Sequence, residues 1–245
     1  MSLRDQFPCD ADRCLVNVIE RRLAREPFAY ISGGKEFFGR KFKVDRRVLV
    51  PRPETEILVS SVLGFVSNGR CEPLRIADVG TGSGILAITL ALEFPESEII
   101  ATDSSSDALN VASENARKFG VSDRISLRCG DLARPLQGQF QIVVANLPYV
   151  RSSAYKNADP ELMFEPPDAL KGGIDGMRYI GRFIDQLPLI LAEGPSAAML
   201  EIDPPLVSAV KDRVHRAVPT ASLKIVKDLA NLARCAEIRT AEVTN

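Results

Sequence analysis

After residue 73 the chain alternates short apolar segments with amphipathic ones, and this alternation restricts the fold more than any other feature. The apolar segments have the length of buried strands, and the segments between them have helical spacing. Strands that alternate with helices form right-handed βαβ units, which build a parallel sheet covered by helices on both faces. The predicted strands are residues 74–80, 97–103, 124–131, 140–146, 197–203, 222–228 and 234–240.

The last two predicted strands follow each other without a helix, so they indicate an antiparallel pairing at one edge of the sheet. The fold class is therefore α/β, with seven strands that are mostly parallel. Helices are predicted at residues 83–94, 105–120, 176–194 and 204–218, and Gly120 is expected to close the second of them.

An N-terminal part precedes this alternation. Residues 10–25 have apolar side chains at helical spacing and predict a short amphipathic helix. Residues 36–44 and 46–50 have strand-like composition. Together they predict a β-hairpin whose turn lies near Asp45 and Arg46.

Residues 51–66 begin with Pro-Arg-Pro-Glu and then become periodic, which indicates the start of a helix. We therefore divide the chain into residues 1–70, with the helix, hairpin and linker helix, and a larger domain of residues 71–245. No stretch approaches the ~20 uninterrupted apolar residues that a membrane span needs, and the first ten residues lack a signal-peptide core. We therefore expect a cytoplasmic protein without a membrane partner.

The composition excludes some classes of function. The net charge is −1, whereas a protein that binds a phosphate backbone usually carries a basic excess, so nucleic acid is not expected as the main substrate. The five cysteines form no Cys-x-x-Cys pair, and reduced thiols are expected. With His215 as the single histidine and no cysteine cluster, no metal site is expected.

A glycine-rich loop, "ADVGTGSGILA", joins the first strand of the alternating region to its first helix. Its glycines, Gly80, Gly82 and Gly84, permit positive φ angles and let a ligand approach the backbone closely. The dinucleotide fingerprint of dehydrogenases places its third glycine one residue later, where this chain has Ile85. A nicotinamide cofactor is therefore the least favoured interpretation, and a plain strand-to-helix turn remains an alternative.

Two carboxylates follow the next two strands. Asp103 lies about 20 residues after the glycine loop, where doubly wound folds place a carboxylate that accepts hydrogen bonds from ribose hydroxyls. Asp131 ends the third strand and is positioned to accept from an adenine amino group. Since ligands bind at the carboxyl ends of parallel strands, these residues predict a nucleoside crevice. Asp78 is expected to hold the glycine loop through hydrogen bonds.

The fourth strand ends in "NLPY", residues 146–149. Asn146 offers an acceptor and two donors, and the Leu147 carbonyl offers another acceptor. Pro148 stiffens the turn, and Tyr149 supplies a flat apolar face. This set suits a planar nitrogen that carries hydrogens, such as a carboxamide or an exocyclic amine.

The glycine loop, Asp103 and "NLPY" resemble class I S-adenosylmethionine-dependent methyltransferases. The region from about residue 25 to residue 240 resembles the HemK/PrmC family, and its most specific segment is "VLVPRPETEILV". The resemblance implies a Rossmann-like seven-stranded methyltransferase sheet. It also implies methyl transfer from S-adenosylmethionine to the glutamine side-chain nitrogen of the Gly-Gly-Gln motif in peptide chain release factors.

The resemblance assigns the site residues. The implied catalytic residues are Asn146, Leu147, Pro148 and Tyr149. The implied cofactor-binding residues are Gly80, Thr81, Gly82, Ser83, Gly84, Asp103, Asp131, Leu132 and Asn146. The segments 28–38 and 52–56 are expected to shape the approach of the substrate.

Two features depart from the family pattern. Leu147 replaces the first proline of Asn-Pro-Pro-Tyr, and about one helix, rather than several, precedes the predicted hairpin. Two alternatives therefore stay open: methylation of an exocyclic amine in DNA or RNA, where the same four-residue element acts, and a cofactor-binding homologue without turnover.

Overall fold

The computed structural model describes residues 10–67 and 73–240. Its strands are β1 (Gly34–Phe37), β2 (Arg40–Lys43), β3 (Arg75–Val79), β4 (Glu98–Asp103), β5 (Ile125–Cys129), β6 (Ile142–Ala145), β7 (Val150–Arg151), β8 (Lys171–Gly173), β9 (Ser196–Glu201), β10 (Ser222–Lys227) and β11 (Ala233–Thr240). Its α-helices are α1 (Asp10–Leu23), α2 (Phe28–Ile31), α3 (Glu56–Val66), α4 (Ile85–Glu93), α5 (Ser106–Lys118), α6 (Ser152–Lys156), α7 (Arg178–Ile190) and α8 (Val207–Ala217).

Seven strands form the central sheet in the spatial order β10, β11, β9, β6, β3, β4, β5. Strands β3, β4, β5, β6 and β9 are parallel, and β11 runs antiparallel to both of its neighbours. The α/β fold, the seven strands and the antiparallel pairing at one edge are thus confirmed. Because the chain leaves β3 toward β4 and later returns to its other side as β6, the order of the strands reverses at β3, which is where such sheets bind ligands.

Helices cover both faces of the sheet, which explains the unbroken apolar runs in the sequence. On one face, Ile76, Val144 and Met199 pack under α3 and α4. On the other face, Val143 and Leu200 pack under α7 and α8. Both faces of each central strand are therefore buried, and polar groups are confined to the strand ends.

A β-hairpin is present as predicted, but the predicted pairing of residues 36–44 with 46–50 and the predicted turn are wrong. Strand β1 pairs with β2, and the turn consists of Phe38 and Gly39, which both have positive φ angles of 49° and 70°. Such paired values match the type I′ turn that two-residue hairpins favour. Residues 46–50 form no strand; Val48 and Val50 are buried against Ala108 and Val111 of α5 instead.

Two predicted helix starts and one predicted helix end lie close to the observed ones. The helix predicted at 10–25 is α1, and a 3₁₀ turn, Pro53–Thr55, precedes α3 as the Pro-Arg-Pro-Glu start indicated. Gly120 follows α5 with a φ of 69°. The boundary proposed between residues 70 and 71 lies outside the described residues.

The described cysteines are free thiols: Cys14 and Cys129 are exposed and Cys235 is buried, while Cys9 and Cys71 lie outside the described part of the chain. His215 is exposed on α8. Within residues 10–67 and 73–240, no helix has the length and apolar character that crossing a membrane requires.

Candidate active site

A cavity of about 390 Å³ lies at the carboxyl ends of the parallel strands. Its volume falls in the range of small-molecule sites, roughly 300–1,000 Å³. The predicted site residues that line it are Gly80, Thr81, Gly82, Ser83, Asp103, Asp131, Leu132, Asn146, Leu147 and Pro148. Gly84 and Tyr149 are the predicted residues that do not line it.

The glycine loop is held against the end of β4. The backbone N–H groups of Gly80 and Thr81 both donate to the Thr102 carbonyl, at 2.9 Å each. Gly80 has a φ of 79°, and a Cβ there would lie 3.0 Å from the Leu147 side chain. A side chain at position 80 would therefore be crowded by Leu147.

Gly84 has a different structural role, because it lies at the contact between α4 and α5. Its φ is 83°, and a Cβ would lie 2.9 Å from Ile88 Cδ1 and 3.2 Å from Ala112 Cβ. The glycine allows these two helices to approach closely. Its contribution to the cavity is therefore indirect.

Asp78 fixes the loop from below, as the sequence predicted. Its Oδ2 accepts from the Thr81 hydroxyl at 2.6 Å and from the Ala87 N–H at 3.0 Å. Its Oδ1 is buried without a hydrogen-bond partner in the described residues. Burial raises the pKa of this carboxyl to about 7, because the charged form is poorly solvated there.

Asp103 connects the glycine loop to α5. One carboxylate oxygen accepts from the Gly82 N–H and the other from the Ser105 N–H, at 2.9 Å each. Burial is the main cause that raises the pKa of Asp103, and these backbone donors oppose it. A carboxylate has about four acceptor positions, so two remain for a ligand in the cavity.

Asp131 lies at the cavity wall beside the next strand end. Arg182 and Arg134 both contact its Oδ2, and neither of them contacts Oδ1. Leu132 follows with a φ of 52°, and its carbonyl accepts from the Thr102 hydroxyl at 2.9 Å. This unusual backbone places an apolar side chain next to the carboxylate.

The side chains of "NLPY" point in different directions. Asn146 lines the cavity, and its Nδ2 donates to the Thr55 hydroxyl at 3.1 Å. Leu147 is 2% exposed and packs in the core at the edge of the cavity, and Pro148 lines the cavity beside it. The Tyr149 phenol donates to Glu201 at 3.2 Å instead of facing the cavity.

Two residues that the sequence did not place beside "NLPY" contact this element. Thr55 is fully buried and donates to Glu201 Oε2 at 2.6 Å; Glu201 is 2% exposed. Burial raises the pKa of Glu201 to about 6. A glutamate at the end of the apolar run "AAMLE" was the available signal, because an ionisable residue is rarely buried without a partner.

A further ion pair connects two segments that lie far apart in the sequence. Arg52 of "PRPETE" contacts Glu165 of "FEPPDAL" at 2.5 Å, and Glu165 also accepts from the Val50 N–H at 2.9 Å. Glu165 is 2% exposed, and Arg52 lines the cavity. The pair holds one wall of the cavity in place.

The donors and acceptors of the cavity fit S-adenosylmethionine. Carboxylates at two neighbouring strand ends, Asp103 and Asp131, match a ribose diol and an amino group, and Leu132 and Ile85 provide apolar contact for a flat ring. Gly80 and Gly82 of the glycine loop line the same cavity. No group of three or more His, Cys, Asp or Glu side chains among the described residues is arranged to hold a metal ion.

Comparison with known proteins assigns the class first. A family model described as a methyltransferase small domain matches residues 55–174. A methyltransferase from Pyrococcus furiosus has a similar fold, with a TM-score of 0.60 and 16% identity, over 92% of this chain and 98% of that one. The chain thus has the Rossmann-like fold of that methyltransferase, and part of it matches the methyltransferase small domain.

The family follows from closer relatives. A release factor glutamine methyltransferase of Moorella thermoacetica is 38% identical over 218 residues, which are 89% of this chain and 76% of the relative. One of Bacillus anthracis is 34% identical over 234 residues, 94% of this chain and 82% of the relative. The chain belongs to the family of release factor glutamine methyltransferases.

Proposed function

We propose that this enzyme transfers a methyl group from S-adenosylmethionine to the side-chain nitrogen of a glutamine, within the Gly-Gly-Gln motif of peptide chain release factors. The names of its relatives support the reaction and the substrate. The observation that carries the proposal is the placement of Asn146 at the cavity, with its Nδ2 bound to Thr55 and its Oδ1 available to a ligand.

The cofactor is held by the strand ends in this proposal. The two free acceptor positions of Asp103 take the ribose hydroxyls, and Asp131 takes the adenine amino group. Residues 80–83 of the glycine loop, which line the cavity, would hold the methionine portion. When bound, S-adenosylmethionine supplies a methyl group on a sulfonium, and the electron pair of the broken C–S bond leaves with the sulfur.

The residues of "NLPY" hold the acceptor nitrogen. An amide nitrogen is a poor nucleophile because its lone pair is shared with the carbonyl. Asn146 Oδ1 and the Leu147 carbonyl accept its two N–H groups, which orients the nitrogen and favours electron density on it. The nitrogen forms the new bond with its own electron pair and releases one proton to water. Such orientation contributes ~7–11 kcal/mol in well-arranged systems.

The substrate approaches over a second cavity of about 700 Å³. It shares Arg52 with the first cavity, and Phe28, whose side chain is 65% exposed, lies on its wall. Glu36 and Glu161 line it as well. The segments 28–38 and 52–56, which are expected to shape the approach, both contribute residues to its lining.

The test offers the enzyme a choice of acceptors. Methyl-labelled S-adenosylmethionine is incubated with the enzyme, a release factor, tRNA and DNA, and each acceptor is then separated and counted. We expect label on the release factor, and none on a matched release factor whose Gly-Gly-Gln glutamine is replaced by alanine. Label on tRNA or DNA would favour the exocyclic-amine alternative, and cofactor binding without any label would favour a homologue without turnover.

A further inference from the structure

A chain of hydrogen bonds lies behind the cavity and ends at a buried carboxylate. Asn146 Nδ2 donates to Thr55 Oγ1 at 3.1 Å, and Thr55 Oγ1 donates to Glu201 Oε2 at 2.6 Å. The Tyr149 hydroxyl donates to the other oxygen, Oε1, at 3.2 Å. Thr55 lies in the 3₁₀ turn before α3, and Glu201 is the last residue of β9. Both are buried, and neither lines the cavity.

The direction of each bond follows from the chemistry of the groups. An ionised carboxylate only accepts, so the hydroxyls of Thr55 and Tyr149 must both donate to Glu201. A hydroxyl has one hydrogen, so Thr55 can only accept from Asn146. The Asn146 side chain must then present its N–H₂ to Thr55, which leaves Oδ1 as the atom that faces a ligand.

We propose that Glu201 and Thr55 are positioning residues that fix the orientation of the Asn146 amide, so that its oxygen faces the acceptor nitrogen. This inference rests on the proposed function, because only an acceptor that donates N–H groups requires that orientation. Without a fixed direction, the amide would turn its N–H₂ to the cavity in part of the molecules. Two donors would then face each other, and the substrate nitrogen would lose a hydrogen bond.

The neighbours of Glu201 determine when it is ionised. Glu54, next to Thr55, disfavours the negative charge of Glu201, and Arg234 on β11 favours it. Cys235 is the residue of β11 that lies opposite Glu201 of β9. The neighbouring strand β6 carries no titratable side chain. Burial outweighs the hydrogen bonds and raises the pKa to about 6, so the carboxylate is charged at neutral pH and gains a proton below about pH 6. Protonated Glu201 can donate to Thr55, and the fixed direction is then lost.

The test compares substitutions that keep shape and change hydrogen bonding. Thr55→Val should lower kcat for release-factor methylation about 10- to 100-fold, with the cofactor Kd unchanged, and Thr55→Ser should restore most of it. Glu201→Gln should lower kcat and remove the decline of wild-type kcat below about pH 6. Thr89→Val is the matched control, because Thr89 is also fully buried and its hydroxyl has no partner in the described chain; its kcat should equal that of wild type.

The outcomes separate this inference from the proposed function. If the wild type is active and the kcat of Thr55→Val lies within threefold of it, the positioning role alone is overturned. Equal losses of kcat in Thr55→Val and Thr89→Val would have the same consequence. A wild-type enzyme that methylates no glutamine would overturn the proposed function and this inference with it. An unchanged cofactor Kd and a cooperative melting transition show that a variant has folded.

Discussion

Replacing Asp103 should weaken cofactor binding by a magnitude that its hydrogen bonds set. Its two oxygens accept from Gly82 and Ser105, and the two acceptor positions that remain are assigned to the ribose hydroxyls. A hydrogen bond to a charged acceptor contributes about 1.5–3 kcal/mol. Because water recovers part of that in the alanine variant, we expect Asp103→Ala to cost about 3 kcal/mol, or roughly 150-fold in Kd.

Isothermal titration calorimetry with S-adenosylmethionine measures this loss. Asp103→Asn should have a cofactor Kd between those of wild type and Asp103→Ala. An amide has only one oxygen, so its N–H₂ must face either the Gly82 or the Ser105 N–H. Asp107→Asn removes the same charge from an exposed position in the first turn of α5 and should bind like wild type. A Kd for Asp103→Ala within threefold of wild type would refute the ribose assignment.

Three further substitutions test other parts of the structure. Gly84→Ala should lower the melting temperature by roughly 5–10 °C, because the φ of 83° and the nearby Ala112 both oppose a Cβ at this position. Gly64→Ala is the control, since there is open space around Gly64 in α3, and it should not lower the melting temperature. Equal shifts of the two variants in calorimetry would contradict this reason. Asp78→Asn should flatten the dependence of stability on pH. Because the pKa of Asp78 is raised to about 7 in the folded protein, the wild type should lose stability as the pH rises from about 4 to 7. Melting temperatures that change with pH in parallel for the two proteins would argue against this. Leu147→Pro should keep kcat within about threefold of wild type, because the backbone carbonyl is retained. The melting temperature should fall, because packing of a buried side chain is lost. A large loss of kcat in steady-state assays would show that the leucine side chain itself is needed.

The strands and the carboxylates at their ends were predictable because they depend on local pattern. A strand buried on both faces must be apolar along its length, so Ile142–Ala145 and Ser196–Glu201 stand out in the sequence. Since parallel strands end at one edge, the sequence alone places Asp103, Asp131 and Asn146 together.

The errors and omissions arise where distant segments decide the structure. Residues 46–50 have the alternation of a strand, but Val48 and Val50 bury their side chains against α5 without pairing. The contact between Thr55 and Glu201 joins residues 146 positions apart, through the packing of α3 on β9. Tyr149 turns toward Glu201 because a buried carboxylate requires donors, and no local pattern around residue 149 shows that need.

The central claim is that this cavity brings a methyl donor to a nitrogen held by Asn146 and the Leu147 carbonyl. The most direct measurement is a crystal structure of the enzyme with S-adenosylhomocysteine and a release factor that carries the Gly-Gly-Gln motif. We predict the ribose on Asp103 and the glutamine Nε2 within hydrogen-bonding distance of both acceptors. A glutamine side chain bound elsewhere, or an Asn146 oxygen turned toward Thr55 and away from the substrate, would contradict the account.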